Sequence, residues 1–193
     1  MNCLDKFIIN IPKKLQDTKK IGDIEIYIET KFNEFEHRVP YGEVVSVPLK
    51  YKTPVKVGDV LYVHHHVMMD DANQLEKGNF MVRYHPDGGF STHCYAFKNE
   101  NGIQVLTDWV LVEPIPQPHH LKSSIIELVS LTPEANRYGR IYCDSEALEE
   151  LGIKKGDIVY FAKDADYEME IDGKKLWRMN VNHLLAVDYG YKG

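Results

Sequence analysis

The chain repeats itself at domain-sized spacing. Tyr41-Gly42-Glu43-Val44 is followed by Val55-Lys56-Val57-Gly58-Asp59-Val60-Leu61-Tyr62, and about a hundred residues later Tyr138-Gly139-Arg140-Ile141 is followed by Ile153-Lys154-Lys155-Gly156-Asp157-Ile158-Val159-Tyr160. Two copies at that distance mean two versions of one small unit, not a solenoid of short repeats. The length of 193 residues holds two such units.

Between and around the repeats the text reads as short strands. Lys6–Ile11 is a mostly apolar run stopped by Pro12. Residues 13–40 are polar and irregular, with one apolar interruption at Ile24–Ile28. Phe80–Tyr84 and Cys94–Phe97 flank the turn signal Pro86-Asp87-Gly88-Gly89, and Asn99-Glu100-Asn101-Gly102 closes a hairpin. Asp108–Ile115 is strongly apolar and runs into Pro114, Pro116 and Pro118, a seam between copies. Residues 116–137 are polar again, interrupted at Ile125–Leu128. Tyr138–Cys143, Ile158–Phe161, Tyr167–Ile171, Leu176–Met179 and His183–Val187 are further strands. Ser145–Leu151 is the one helical stretch, with Asp144 placed to cap it and Gly152 to end it. Many short strands with turn signals predict an all-β protein.

The residues of the second copy stand in the order of a known family. Asp108-Trp109-Val110-Leu111-Val112 opens it, then Ile126-Glu127-Leu128, Gly139-Arg140-Ile141, Ile153-Lys154-Lys155-Gly156-Asp157-Ile158-Val159, a hairpin around Asp172-Gly173, and His183-Leu184-Leu185-Ala186-Val187. Over about 80 residues this resembles the GroES-type co-chaperonins, the lid proteins of chaperonin rings. The first copy follows more loosely, through Asp5–Ile9, Ile24-Glu25-Ile26, Gly42-Glu43-Val44 and Val57-Gly58-Asp59. It carries an insertion over 64–96. The expected fold is two tandem or fused GroES-like β-barrels, residues 1–112 and 113–193, with one short helix in the second and strand 108–112 assignable to either copy or both. The chain departs from the family in two places: Ser124-Ile125 stands where the family has Gly-Gly, and the helix stands where the family has a roof hairpin.

The resemblance implies a function and partners. A loop holding Ile125, Ile126, Glu127 and Leu128 would bind an ATP- or ADP-bound GroEL-type chaperonin, with Ile24, Glu25 and Ile26 as a possible second loop. It implies a homo-oligomeric ring, a heptamer to match the chaperonin, that encloses unfolded client proteins. It implies no cofactor, since nucleotide belongs to the chaperonin. The divergence and fused build suit a viral lid working in a host cytoplasm. On an extended segment Ile126 and Leu128 share one face and Glu127 the other.

Histidines carry the rival reading. Gly58, five residues, His64-His65-His66, Asp71 and Gly78 nearly spell a cupin metal motif, with His93 after Pro86-x-Gly88 as a further ligand. His64 and His66 on a strand would point to one side, and neutral imidazoles with a carboxylate suit Fe(II), Mn(II) or Zn(II). That alternative is a cupin-like barrel with an enzymatic or small-molecule-binding role.

Other classes fare worse. The net charge of −6 argues against a nucleic-acid binder, which needs clustered Lys and Arg, although Leu151–Asp157 resembles swapped-hairpin DNA-binding modules. No apolar run reaches eighteen residues, so no membrane span is expected, and no leader pattern is visible. Cys3, Cys94 and Cys143 form no framework and fit reduced thiols in a cytoplasm. No phosphate loop, nucleophile motif or HExxH is present, which agrees with a binding protein rather than an enzyme.

Overall fold

The computed structural model describes residues 3–30, 37–88, 92–116 and 134–188. Strands dominate them, and the chain divides into two units, Met1–Leu106 and Thr107–Gly193. The first holds β1 (Lys6–Asn10), β2 (Thr18–Ile21), β3 (Ile24–Tyr27), β4 (Tyr41–Ser46), β5 (Val60–Val63), β6 (Asn79–Arg83), β7 (Cys94–Asn99) and β8 (Gly102–Val105). The second holds β9 (Trp109–Pro116), β10 (Glu134–Ile141), α1 (Glu146–Glu150), β11 (Ile158–Phe161), β12 (Tyr167–Ile171), β13 (Lys174–Asn180) and β14 (Leu184–Asp188).

The sheets run β6-β1-β4-β5-β7-β8 and β12-β13-β9-β10-β11-β14, with β2-β3 as a separate hairpin. Remove one end strand from each (β8 and β12) and the five that remain follow the same order. Numbered along the chain within each unit, that order is 4-1-2-3-5. Its first four strands form a Greek key. The duplication is therefore one of topology, reaching well beyond the repeated words. The all-β expectation holds. The described pairings leave each sheet open, ending at β6 and β8 in one unit and at β12 and β14 in the other, so hydrogen bonding closes neither into the expected barrel.

Register extends the equivalence to single residues. Tyr41 pairs with Tyr62 and Tyr138 with Tyr160. The third strand meets the fifth with an irregularity at the same step, after Tyr62 in one unit and after Tyr160 in the other. The repeated Lys-x-Gly-Asp explains why β4 and β10 meet their neighbours alike. The Asp59 carboxylate accepts the Lys56 N–H at 2.7 Å, and the Asp157 carboxylate accepts the Lys154 N–H at 2.9 Å. Gly58 and Gly156 have φ of 92° and 94°, the left-handed value that a type II turn requires at its third residue. The turns are stitched to the second strands by Val44 N–H to Asp59 C=O (2.8 Å) and Gly58 N–H to Val44 C=O (2.9 Å), repeated as Ile141 to Asp157 and Gly156 to Ile141, both 2.9 Å.

Three expectations change. The seam moves from 112/113 to 106/107, because β9 pairs with β10 on one side and β13 on the other, both within the second unit. Residues 64–96 are no insertion: they contain β6 and the start of β7, the partners of β1 and β5. Ser145, not Asp144, caps α1, accepting the Leu148 N–H at 3.2 Å, while Asp144 accepts the Lys155 N–H at 2.6 Å. The helix ends at Gly152 as expected, with Gly152 N–H to Glu149 C=O and Ile153 N–H to Leu148 C=O, the paired bonds of a Schellman cap.

Each unit has its own core. Phe7, Ile9, Val44, Leu61, Phe80 and Phe97 are among the buried residues of the first. Val110, Val112, Ile141, Phe161, Trp177 and Met179 serve the second. Alternation along the strands supplies one inward face from each.

Candidate functional site

Strands one and two of the Greek key are joined by a long connection in both units, from β1 to β4 and from β9 to β10. Ile125, Ile126, Glu127 and Leu128 fall in the second connection and lie outside the described residues. The described residues of the first connection form a β-arm. Its stalk is a short antiparallel pairing: Leu15 bridges Arg38, Gln16 N–H meets His37 C=O at 2.6 Å, and Val39 N–H meets Lys14 C=O at 2.9 Å. Beyond the stalk, β2 and β3 pair from Thr18↔Tyr27 to Ile21↔Ile24. Within the polar stretch, Thr18–Tyr27 thus fold into a hairpin where an irregular segment was expected. The signal in the sequence was Ile21-Gly22-Asp23-Ile24, a two-residue Gly-Asp turn between β-branched residues.

Pairing fixes which side chains share a face. Lys19 is opposite Ile26 and Ile21 is opposite Ile24, so Ile21, Ile24, Ile26 and Lys19 form one side and Thr18, Lys20, Glu25 and Tyr27 the other. The three isoleucines are 58%, 67% and 46% exposed, and Tyr27 is 84% exposed. Ile24 and Ile26, singled out from sequence, therefore do not pack into their own unit. Ile21 joins them on that face, and Tyr27 is exposed on the opposite one; sequence reading missed both, although the turn makes Ile21 the cross-strand partner of Ile24. Branched apolar side chains clustered on an exposed hairpin face mark an interaction site more often than chance exposure does.

The histidines form a different arrangement from the one expected. β5 ends at Val63, so His64 and His66 are not on a strand: His64 is the extended residue before a 3-10 turn, His65–Met68, that contains His66. The His64 and His66 rings stack at 5.3 Å and 19°, and His66 meets His93 edge-on at 4.8 Å. The His64 N–H donates to the His93 carbonyl at 2.9 Å. Asp71 lies in the next turn and is exposed. Among the described residues no three His, Cys, Asp or Glu side chains are arranged to hold a metal ion. Burial, followed by the neighbouring His66 and Arg83, pushes the His93 imidazole below its usual value, against a smaller opposing pull from Asp70. Its Nδ1 is buried without a hydrogen-bond partner.

Among the described residues no helix is long and apolar enough to cross a membrane. No protein-family model and no curated protein matches the chain by sequence.

Proposed function

We propose that the protein is a co-chaperonin of the GroES type, which caps a nucleotide-bound chaperonin ring through apolar loops joining the first two strands of each unit. The observation that carries this reading is the exposed isoleucine face of the β2–β3 arm. Burying the exposed parts of Ile21, Ile24 and Ile26 against a partner contributes about 2.5–5 kcal/mol. Ordering chain costs about 1–2 kcal/mol per residue, so a single arm binds weakly. A homo-oligomeric ring, a heptamer in the simplest case, presents many arms together, and effective concentration converts weak contacts into a tight, reversible cap. Client protein is enclosed beneath the cap without touching the arms. Nucleotide chemistry stays with the chaperonin, and the lid needs no cofactor of its own.

The test is capture by a GroEL-type chaperonin with ATP or ADP. Wild type is retained. Ile24→Asp/Ile26→Asp is lost from the complex while its thermal unfolding stays within about 0.5 kcal/mol of wild type, as for exposed positions generally. Leu128→Asp reports on the second connection in the same assay. Failure of the wild-type protein to associate with chaperonin in any nucleotide state rejects the reading.

A further inference from the structure

The tip of the β2–β3 arm is exposed, but its root is tied to one particular segment. Residues 64–78, between the third and fourth strands of the first unit, run through three short 3-10 turns, His65–Met68, Asp71–Asn73 and Glu76–Gly78. In the second unit the same place in the order holds β12. The segment is anchored from below: Val67 and Met68 are buried in the core, Asp70 caps the second turn by accepting the Ala72 N–H at 3.0 Å, and the Asn73 amide donates to Val67 C=O at 3.3 Å.

From this platform four bonds reach the start and end of the arm. Ile11 N–H donates to Gly78 C=O at 2.8 Å. The Asn10 amide donates to Lys77 C=O at 3.1 Å. Lys14 Nζ donates to Gln74 Oε1 at 2.7 Å and lies 5.1 Å over the Phe80 ring. Arg38 Nη1, on the returning side of the stalk, donates to Met68 C=O at 3.4 Å. Both sides of the stalk are therefore held. A lone two-stranded hairpin is marginal in water, and every residue of β2 and β3 except Thr18 is exposed, so the hairpin draws little order from a core of its own.

We propose that residues 64–78 are a brace that pre-orders the Thr18–Tyr27 hairpin, so that less ordering remains to be done when the arm meets its partner. The partner side of this inference rests on the reading that the arm binds chaperonin; the brace itself does not. Two variants loosen it at different points: Lys14→Ala/Gln74→Ala at its exposed contact with the stalk, and Asn73→Ala from within.

Amide hydrogen exchange on the free protein tests the brace. In both variants the hairpin amides of Thr18–Tyr27 exchange faster, about tenfold for Lys14→Ala/Gln74→Ala, which removes a charge-assisted hydrogen bond from a local opening equilibrium, and about threefold to tenfold for Asn73→Ala, which removes a neutral one. Rates in β1 and β4 stay unchanged. Chaperonin affinity per arm falls by a similar factor. Hairpin exchange equal to wild type in both variants overturns the proposal, as does an equal rise in β1 and β4, which would mean general destabilisation. Because exchange is read without a partner, a chain that ignores chaperonin sinks the function reading and leaves this result to stand or fall separately.

Discussion

Gly139→Ala tests how closely strands one and two approach. A Cβ built on Gly139 falls 2.5 Å from Val112 Cγ1 and 2.7 Å from Glu113 O, and one on Gly42 falls 2.7 Å from Ile11 Cγ1 and 2.8 Å from Asn10 O. A valine methyl can shift, but a ladder carbonyl cannot move without breaking pairing. Overpacking of this kind costs about 1–3 kcal/mol, with the upper end expected where backbone is the obstacle. Replacing a strand glycine by alanine returns about 0.5–1 kcal/mol through the unfolded chain. The net loss is about 2 kcal/mol, or roughly 8–16 °C in Tm for a unit of this size. The assay is built into the sequence: both tryptophans, Trp109 and Trp177, lie in the second unit, and Trp177 sits opposite Val112 itself. Tryptophan fluorescence in a urea titration therefore follows the second unit, while far-UV circular dichroism follows both. Gly139→Ala moves the fluorescence midpoint; Gly42→Ala moves the dichroism and leaves the fluorescence in place. A Gly139→Ala protein as stable as wild type, within about 0.5 kcal/mol, refutes the close-approach argument.

Asp157→Ala and Asp59→Ala each remove a carboxylate that accepts a turn N–H, at a cost of about 1 kcal/mol; only the first shifts the tryptophan transition. Acid should weaken the first unit through His93, whose imidazole sits below its ordinary 6.5 in the fold. The unfolded chain then takes up a proton first as pH falls below about 6.5, so stability declines with acidity. His93→Gln flattens that decline between pH 7 and 5.5 as followed by circular dichroism, and an unaltered slope would remove His93 from the account.

Much of the fold was legible because its punctuation is chemical. Gly58-Asp59 and Gly156-Asp157 make the same turn by the same bonds, and a glycine with positive φ beside a capping aspartate leaves its mark in the letters. The first strands were also aligned correctly: Asp5–Ile9 against Asp108–Val112 is the alignment that the registers Ile9↔Val44 and Val112↔Ile141 impose. The arm was half legible. Ile24 and Ile26 stood out through the family resemblance, but placing Ile21 on their face needed the hairpin register. The arrangement of the histidines was not legible, since His64 and His66 stack and His93, far along the chain, meets His66 edge-on only in the folded unit.

Local chemistry was enough to establish the strand-rich class, the two copies, the Gly-Asp turns and the apolar words in the two long connections, because each depends on neighbours within a few residues. Long-range pairing established the rest. β9 belongs to the second unit because both of its partners do. Residues 64–96 belong to the first sheet because β6 finds β1, completing the Greek key, and β7 finds β5. Residues 64–78 grip the arm because Gly78, Gln74 and Met68 meet Ile11, Lys14 and Arg38 across 30 to 67 positions of chain. Hydrogen bonds between such distant residues leave no periodicity in the sequence, so they become visible only when the sheet has assembled.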